Sequence, residues 1–286
     1  MRAPTFARGP RSPPDGRRGF FKAGPRRNER PGLFFRETKR RGRGNKPAMF
    51  RLGREGEIAR LVLDRPQARN AIPANGWREL AALVDQVSRS DARLLVLSGS
   101  SGAFCAGADV GDFETFRRDE AARTRFRTDI RAALDGLRAL PIPSVAQIEG
   151  ACYGAGVALA IACDIRIATP SASFAVTPAK IGIAYPQQDV HRLVALVGPG
   201  QTARLLFTAT TIDAAEAVRI GLAETHDADQ AIAAMLANDA DSLATLKRAV
   251  ALAAEGVRSD AEQDRRFDAL LGSDALARRL EALRRK

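Results

Sequence analysis

Pro141–Ala168, PIPSVAQIEGACYGAGVALAIACDIRIA, is the stretch that decides the fold. Ser144–Ile148 is a short β-type run bounded on its N-terminal side by prolines. Gly150–Gly156 follows as a turn of small residues, with little side chain to obstruct an approaching ligand. Val157–Cys163 is apolar throughout, as a buried helix is, and Asp164–Ala168 is a second β-type run. Strand, small-residue turn, buried helix and strand make a parallel βαβ unit. A helix that starts after such a turn points free backbone N–H groups outward, with the positive end of its dipole behind them. That geometry suits an anion or a developing oxyanion, although a turn that merely lets helix and strand pack closely would look the same.

A second stretch repeats the pattern. Leu94–Leu97 reads as a buried strand and runs into Ser98–Asp109, SGSSGAFCAGAD. Two such loops can converge and aim two backbone donors at one oxygen. Upstream lies Leu63–Ala71, LDRPQARNA. Together these stretches resemble the crotonase family, the enoyl-CoA hydratase/isomerase-like proteins. The patterns are L-[ND]-R-P-x-x-x-N-A, F-[CS]-A-G-A-D and a glycine turn ending in C-D, in family order, over roughly Met49 to the C-terminus.

The chain of 286 residues is long enough for a large core in one or two domains. No apolar run reaches the length of a bilayer span, which predicts a soluble protein without membrane association. Three cysteines without metal-ligand spacing point to a reducing compartment, hence the cytoplasm. Cys105, Cys152 and Cys163 sit among apolar or small residues and read as buried small hydrophobes.

The net charge of +12 is entirely local. Residues 1–48 hold 12 Arg and 3 Lys against Asp15, Glu29 and Glu37, leaving 30 basic and 30 acidic residues in the remainder. This Gly- and Pro-rich tail cannot bury enough apolar surface to fold alone and is expected to be disordered. It reads as a basic arm for nucleic acid, as a targeting segment, or as an artefact of an upstream start codon with Met49 the true start. The last is favoured, because Phe50–Leu52 and Glu57–Leu63 follow at once, where the resemblance implies that members of the family begin. Nucleic acid enters as a partner only through the tail.

Beyond Met49, strands and helices alternate as in an α/β fold. Asn75 or Gly76 can cap a helix with Trp77, Leu80, Val84 and Val87 on one face. Asp109 to about Leu140 is charged and interspersed with Phe113, Phe116 and Phe126; a mobile lid and an ordinary amphipathic helix pair are equally open readings. Ala172–Val176 is a further strand, and from Gln187 the pattern is helical to the end, punctuated by Gly198–Gly200 and Gly221.

The resemblance implies a crotonase-type ββα spiral core over residues 49–210 and a helical C-terminal trimerisation part over 211–286. The partner would then be an acyl-CoA substrate, the assembly a homotrimer or dimer of trimers, with no cofactor apart from the CoA of the substrate itself. Chemistry in this family passes through a thioester enolate, stabilised by two N–H donors worth on the order of 3 kcal/mol each. Carrying the motifs over residue by residue puts those donors at Ala106 and Ala155. The backbone of Ala106, Gly107, Ala108 and Asp109 would contact the adenine, with Ala71 and Gly154 also lining the ligand. Arg69 stands where the family often has a cation near the nucleotide phosphates, or is a solvated surface arginine.

The family's acids are missing. The two glutamates that handle water in hydratases fall at Ala158 and Pro178, neither of which carries a proton. Thr177–Tyr185, TPAKIGIAY, is instead similar to the methylmalonyl-CoA decarboxylase branch, where a tyrosine at the position of Tyr185 lies by the substrate carboxylate. That branch also has a histidine where this chain has Ala108. Loss of carbon dioxide generates the enolate directly, so decarboxylase-like lyase chemistry is the leading expectation. A hydratase or isomerase with non-standard acid and base groups, and a non-catalytic acyl-CoA-binding protein, are the alternatives. Asp189 and His191 could reach the same pocket, with capping or surface roles preferred for both; Lys180 is expected to face solvent.

Overall fold

The computed structural model describes residues 48–224 and 227–285. The expectations for the basic tail therefore lie outside the described residues, apart from its last position.

A five-stranded sheet is the scaffold. β1 (Phe50–Glu55) and β2 (Ile58–Leu63) form an antiparallel hairpin through Gly56, whose φ of 56° suits the tight turn. β2, β3 (Leu94–Gly99), β4 (Ser144–Ile148) and β6 (Ile165–Ala168) then run parallel. The βαβ unit expected over 141–168 is present, with α4 (Ala155–Ala162) as its crossover helix. α4 is buried from Gly156 onward on every side, which is why its sequence shows no polar face.

The small-residue stretch between β4 and α4 differs from the expected turn. Ala151–Tyr153 is a strand, β5, of a second sheet ordered β5-β7-β8. β7 (Ser173–Ala175) and β8 (Ile212–Asp213) complete that sheet. β8 interrupts what reads in the sequence as continuous helix, because two residues are too few to leave a period-two signature.

α1 (Gly76–Ser88) buries Trp77, Leu80, Val84 and Val87 as its periodicity requires, although the Asn75 side chain makes no cap bond. Residues 109–140 form helices: α2 (Phe113–Arg118) and α3 (Glu120–Arg138), the second packed along α1. Phe116 stacks on Phe126 at 4.6 Å and meets Phe113 edge-on at 5.7 Å, tying the two helices together. The helix-pair reading therefore holds for the secondary structure. Gly136, inside α3, would place a Cβ at an ordinary 3.7 Å from Val84 Cγ1. Gly136→Ala is expected to raise stability by about 0.5–1 kcal/mol, measured by denaturant unfolding, because only helix propensity changes.

From Gln187 onward the chain forms α5 (Gln187–Thr208) and then, within the C-terminal part over 211–286, α6 (Ala214–Arg219), α7 (Ala228–Ala237), α8 (Ala240–Ala254), α9 (Ala261–Leu271) and α10 (Asp274–Arg284). Non-helical Gly198, followed by Pro199, breaks α5 where the sequence places its punctuation. Arg166, 3% exposed on β6, ties this part to the sheet by donating to the carbonyls of Leu222 and Cys163 and pairing with Glu224. Among the described residues no helix is long and apolar enough to cross a membrane.

Candidate active site

The two small-residue loops converge as expected, and the means are two isolated β-bridges. Cys105 bridges Cys152: its N–H donates to Ala151 O and its carbonyl accepts from Tyr153, both at 2.9 Å. Ala108 bridges Ile72, with Ile72 N–H on Gly107 O at 2.8 Å and Asp109 N–H on Ile72 O at 2.9 Å. Asn70, fully buried and left-handed at φ 59°, staples the same loops. Its Nδ2 donates to the carbonyls of Ser100 (2.9 Å) and Ala103 (2.7 Å), and its Oδ1 accepts the Arg65 N–H. This explains physically why asparagine stands in the Leu63–Ala71 motif: no other side chain supplies that donor–acceptor pair at a φ asparagine tolerates.

The bridge geometry corrects one expected donor. The Ala106 N–H is spent on Arg69 O at 2.9 Å. At Ala108 the flanking residues make the bridge bonds, so its own N–H points the other way, and no backbone carbonyl among the described residues accepts from it. Ala155, the first residue of α4, has an equally unspent N–H, as the start of a helix requires. Carrying the family motif over placed one donor two residues too early, because a motif match does not say which face of an extended segment its N–H groups use. The two segments are in close contact: a Cβ on Gly107, whose φ is 107°, would sit 3.4 Å from Ala155 N.

Ala108 and Ala155 open on a cleft of about 170 Å³. Val110, Phe113, Phe126 and Ile130 supply an apolar wall, so the 109–140 region does cover the pocket. Ala158 and Pro178 also line it, confirming that both positions face the cavity without a titratable group. Gly107 and Gly154 line it too, whereas Arg69 and Lys180 are exposed and outside its lining. Asp109 is occupied elsewhere: its carboxylate accepts from the Gly111 N–H at 3.0 Å and pairs with Arg65 at 2.5 Å. The Gly111 bond, with Arg65 second, holds its pKa below the usual carboxylate value. Arg65 also donates to Ala71 O at 3.1 Å, fixing that turn.

Tyr185 reaches the cleft, but its hydroxyl donates to Gly154 O at 3.0 Å. Burial, with nearby Asp189 next, pushes the phenol well above its ordinary pKa, so it stays protonated. His191 does not reach the cleft; it is exposed on another face. Asp189, in contrast, is buried in the lining of the cleft, where the sequence favours a cap or surface role. Its neighbours Gln188 and Val190 give no periodic hint of burial, and its partner Arg131 lies on a distant helix. Burial raises Cys105 and Cys163 to about 12 and Cys152 well above its ordinary value. All three thiols are thus inert, as the composition suggested. No cluster of metal-ligating side chains occurs among the described residues.

Comparison with known proteins adds an independent line. The sequence model of the enoyl-CoA hydratase/isomerase family matches residues 53–275. A candidate enoyl-CoA hydratase/isomerase of Bacillus subtilis, YngF, is 36% identical over 169 residues, 58% of this chain and 64% of the relative. The chain thus spans just under two thirds of that relative's length. Among solved structures, an enoyl-CoA hydratase/isomerase family protein of Hyphomonas neptunium superimposes with a TM-score of 0.77 at 33% identity, over 83% of this chain and 96% of the other. A candidate enoyl-CoA hydratase of Thermobifida fusca, solved with acetoacetyl-CoA, gives a TM-score of 0.69 at 32% identity, over 82% and 96%.

Proposed function

The chain belongs to the enoyl-CoA hydratase/isomerase family, and from that premise we propose that it binds an acyl-CoA thioester and stabilises its enolate between the N–H groups of Ala108 and Ala155. The observation that carries this reading is the pair of unspent backbone donors facing one apolar cleft. Preorganised donors favour charge that develops on the thioester oxygen far more than they favour the neutral carbonyl. The acetoacetyl-CoA held by the Thermobifida relative supports the same ligand class here. The backbone of Gly107–Asp109, with Gly154, Ala71 and Arg69 nearby, is where the thioester and nucleotide would lie.

Within that class, the cleft favours proton transfer at the α-carbon, as in a hydratase or isomerase with non-standard acid and base groups, over decarboxylation. A decarboxylase must first hold a carboxylate. Among the described residues no arginine or lysine lines this cleft, Tyr185 is engaged by Gly154, and the charged lining residue Asp189 would repel a second anion. Assembly through the C-terminal part is supported by apolar side chains exposed there, among them Val250, Phe267 and Leu283.

Calorimetric titration and turnover with a panel of acyl-CoAs, malonyl types included, tests the reading. Binding of unbranched acyl-CoAs with double-bond migration or hydration is expected; fastest turnover of a malonyl-type ester would restore the decarboxylase, and binding without any turnover the non-catalytic protein. Tyr185→Phe is expected to cost about 1 kcal/mol of stability, the worth of one neutral hydrogen bond, and to leave kcat within a few-fold. A loss above about 10²-fold would instead put the phenol among the acid–base groups.

A further inference from the structure

Asp189 sits in the first turn of α5, where its N–H donates to Pro186 O at 2.9 Å. Its side chain is 1% exposed, yet it lines the cleft that holds Ala108 and Ala155. Oδ1 accepts from Arg131 Nη2 at 2.9 Å, with Arg192 Nη1 3.7 Å away. Oδ2 is buried with no hydrogen-bond partner among the described residues. Arg131 Nε and Arg192 Nη1 are likewise buried without a hydrogen-bond partner among the described residues, so three such polar atoms belong to this one network. A structural arginine–carboxylate pair normally closes as a two-bond fork that uses both oxygens. Here one oxygen is anchored and the other, enclosed in the protein, has no hydrogen-bond partner among the described residues, on a residue that lines an apolar pocket.

We propose that the free Oδ2 of Asp189 is the proton-transferring base of this cleft, supplying the function of the acids missing at positions 158 and 178. The proposal rests on the acyl-CoA reading above. In the step, the Cα–H bond of the bound thioester breaks and the proton passes to Oδ2. The electron pair moves into the enolate, whose oxygen is held by the Ala108 and Ala155 N–H groups. Return of the proton to Cα, or to the γ-carbon of an unsaturated chain, regenerates the carboxylate, and no other reactant is consumed. Arg131 anchors Oδ1 and so fixes where Oδ2 points.

The charge environment suits a base. Burial raises the Asp189 pKa above 3.8; Arg131 and then Arg192 oppose the rise, and Asp135 adds to it. Tyr185, on the preceding loop, is the remaining titratable group facing it and stays protonated. Since the carboxylate is the active form, the rate should fall as pH drops through a value above 3.8. Removing Arg131 removes a lowering charge, so the fall should move to higher pH.

The test uses the full-length protein with butyryl-CoA in deuterium oxide. Binding is read by calorimetry and α-hydrogen exchange by mass spectrometry. The wild type should bind and exchange. Asp189→Asn should bind within about three-fold and exchange about 10²–10⁴-fold more slowly, the range for loss of one general base. Arg131→Gln should move the acidic limb of the exchange profile upward, which a purely structural ion pair would not do. Exchange by Asp189→Asn at the wild-type rate overturns the proposal. So does a wild-type profile that is flat from about pH 4 to 8, which needs no variant to fold. Wild-type binding without exchange overturns it while leaving the acyl-CoA reading intact; no binding at all overturns both.

Discussion

Ala155→Pro is expected to fold like the parent and to lose about 10²–10³-fold in turnover, the cost of one oxyanion donor. The change is unusually clean. Ala155 is the first residue of α4, where proline is well tolerated because the N–H it lacks has no intrahelical partner. No backbone carbonyl among the described residues accepts from that N–H, so no bond among them is lost. The preceding residue is Gly154, which has no Cβ to collide with the proline ring. Thermal unfolding, CoA binding and turnover should be measured together, with Ala155→Ser as the variant that keeps the donor. Ala106→Pro provides the contrast. Its N–H holds Arg69 O, so its loss should register in stability. A folded Ala155→Pro protein with parental activity would place the thioester oxygen elsewhere.

The difference between those two alanines marks the limit of what the sequence discloses. Apolar runs bounded by glycine and proline announce Leu94–Gly99, Ser144–Ile148 and Ile165–Ala168, because parallel strands buried on both faces need such runs. Trp77, Leu80, Val84 and Val87 announce the buried face of α1 by their spacing. That two small-residue loops meet is also legible. Which N–H is left over is not, since it depends on the pairing of Ile72 with Ala108, set by chain far from either loop in sequence. Asp189 is hidden for a related reason. A lone acid between glutamines and an apolar residue looks like a helix start, and only the approach of Arg131 across the fold turns it into a buried carboxylate with one free oxygen. The strands β5 and β8 are too short to carry a pattern and exist because the second sheet recruits them.

Gly156→Ala should damage stability and activity together. Gly156 is the second residue of α4, and a Cβ there would lie 2.4 Å from Cys105 O and 3.0 Å from Cys105 Cβ. Neither neighbour can swing aside. Cys105 is held on both sides by its bridge to Cys152, and Gly107 N–H approaches its sulfur at 3.4 Å. The helix and the loop must therefore separate by about 1 Å to reach ordinary contact. Overpacking of this kind costs about 1–3 kcal/mol, seen as a lowered unfolding midpoint. The larger effect follows from what lies on either side of the contact. Ala155 begins the helix, and Ala108 sits three residues beyond Cys105 on the loop, so the same displacement pulls the two donors apart. A misplacement of that size costs about 10²-fold in rate even when every group is present. Gly136→Ala, also helical but facing only Val84 Cγ1 at 3.7 Å, controls for the general effect of adding a methyl group. If Gly156→Ala unfolds at the parental midpoint with parental turnover, close approach of α4 to the Cys105 loop does not set the spacing of the donors.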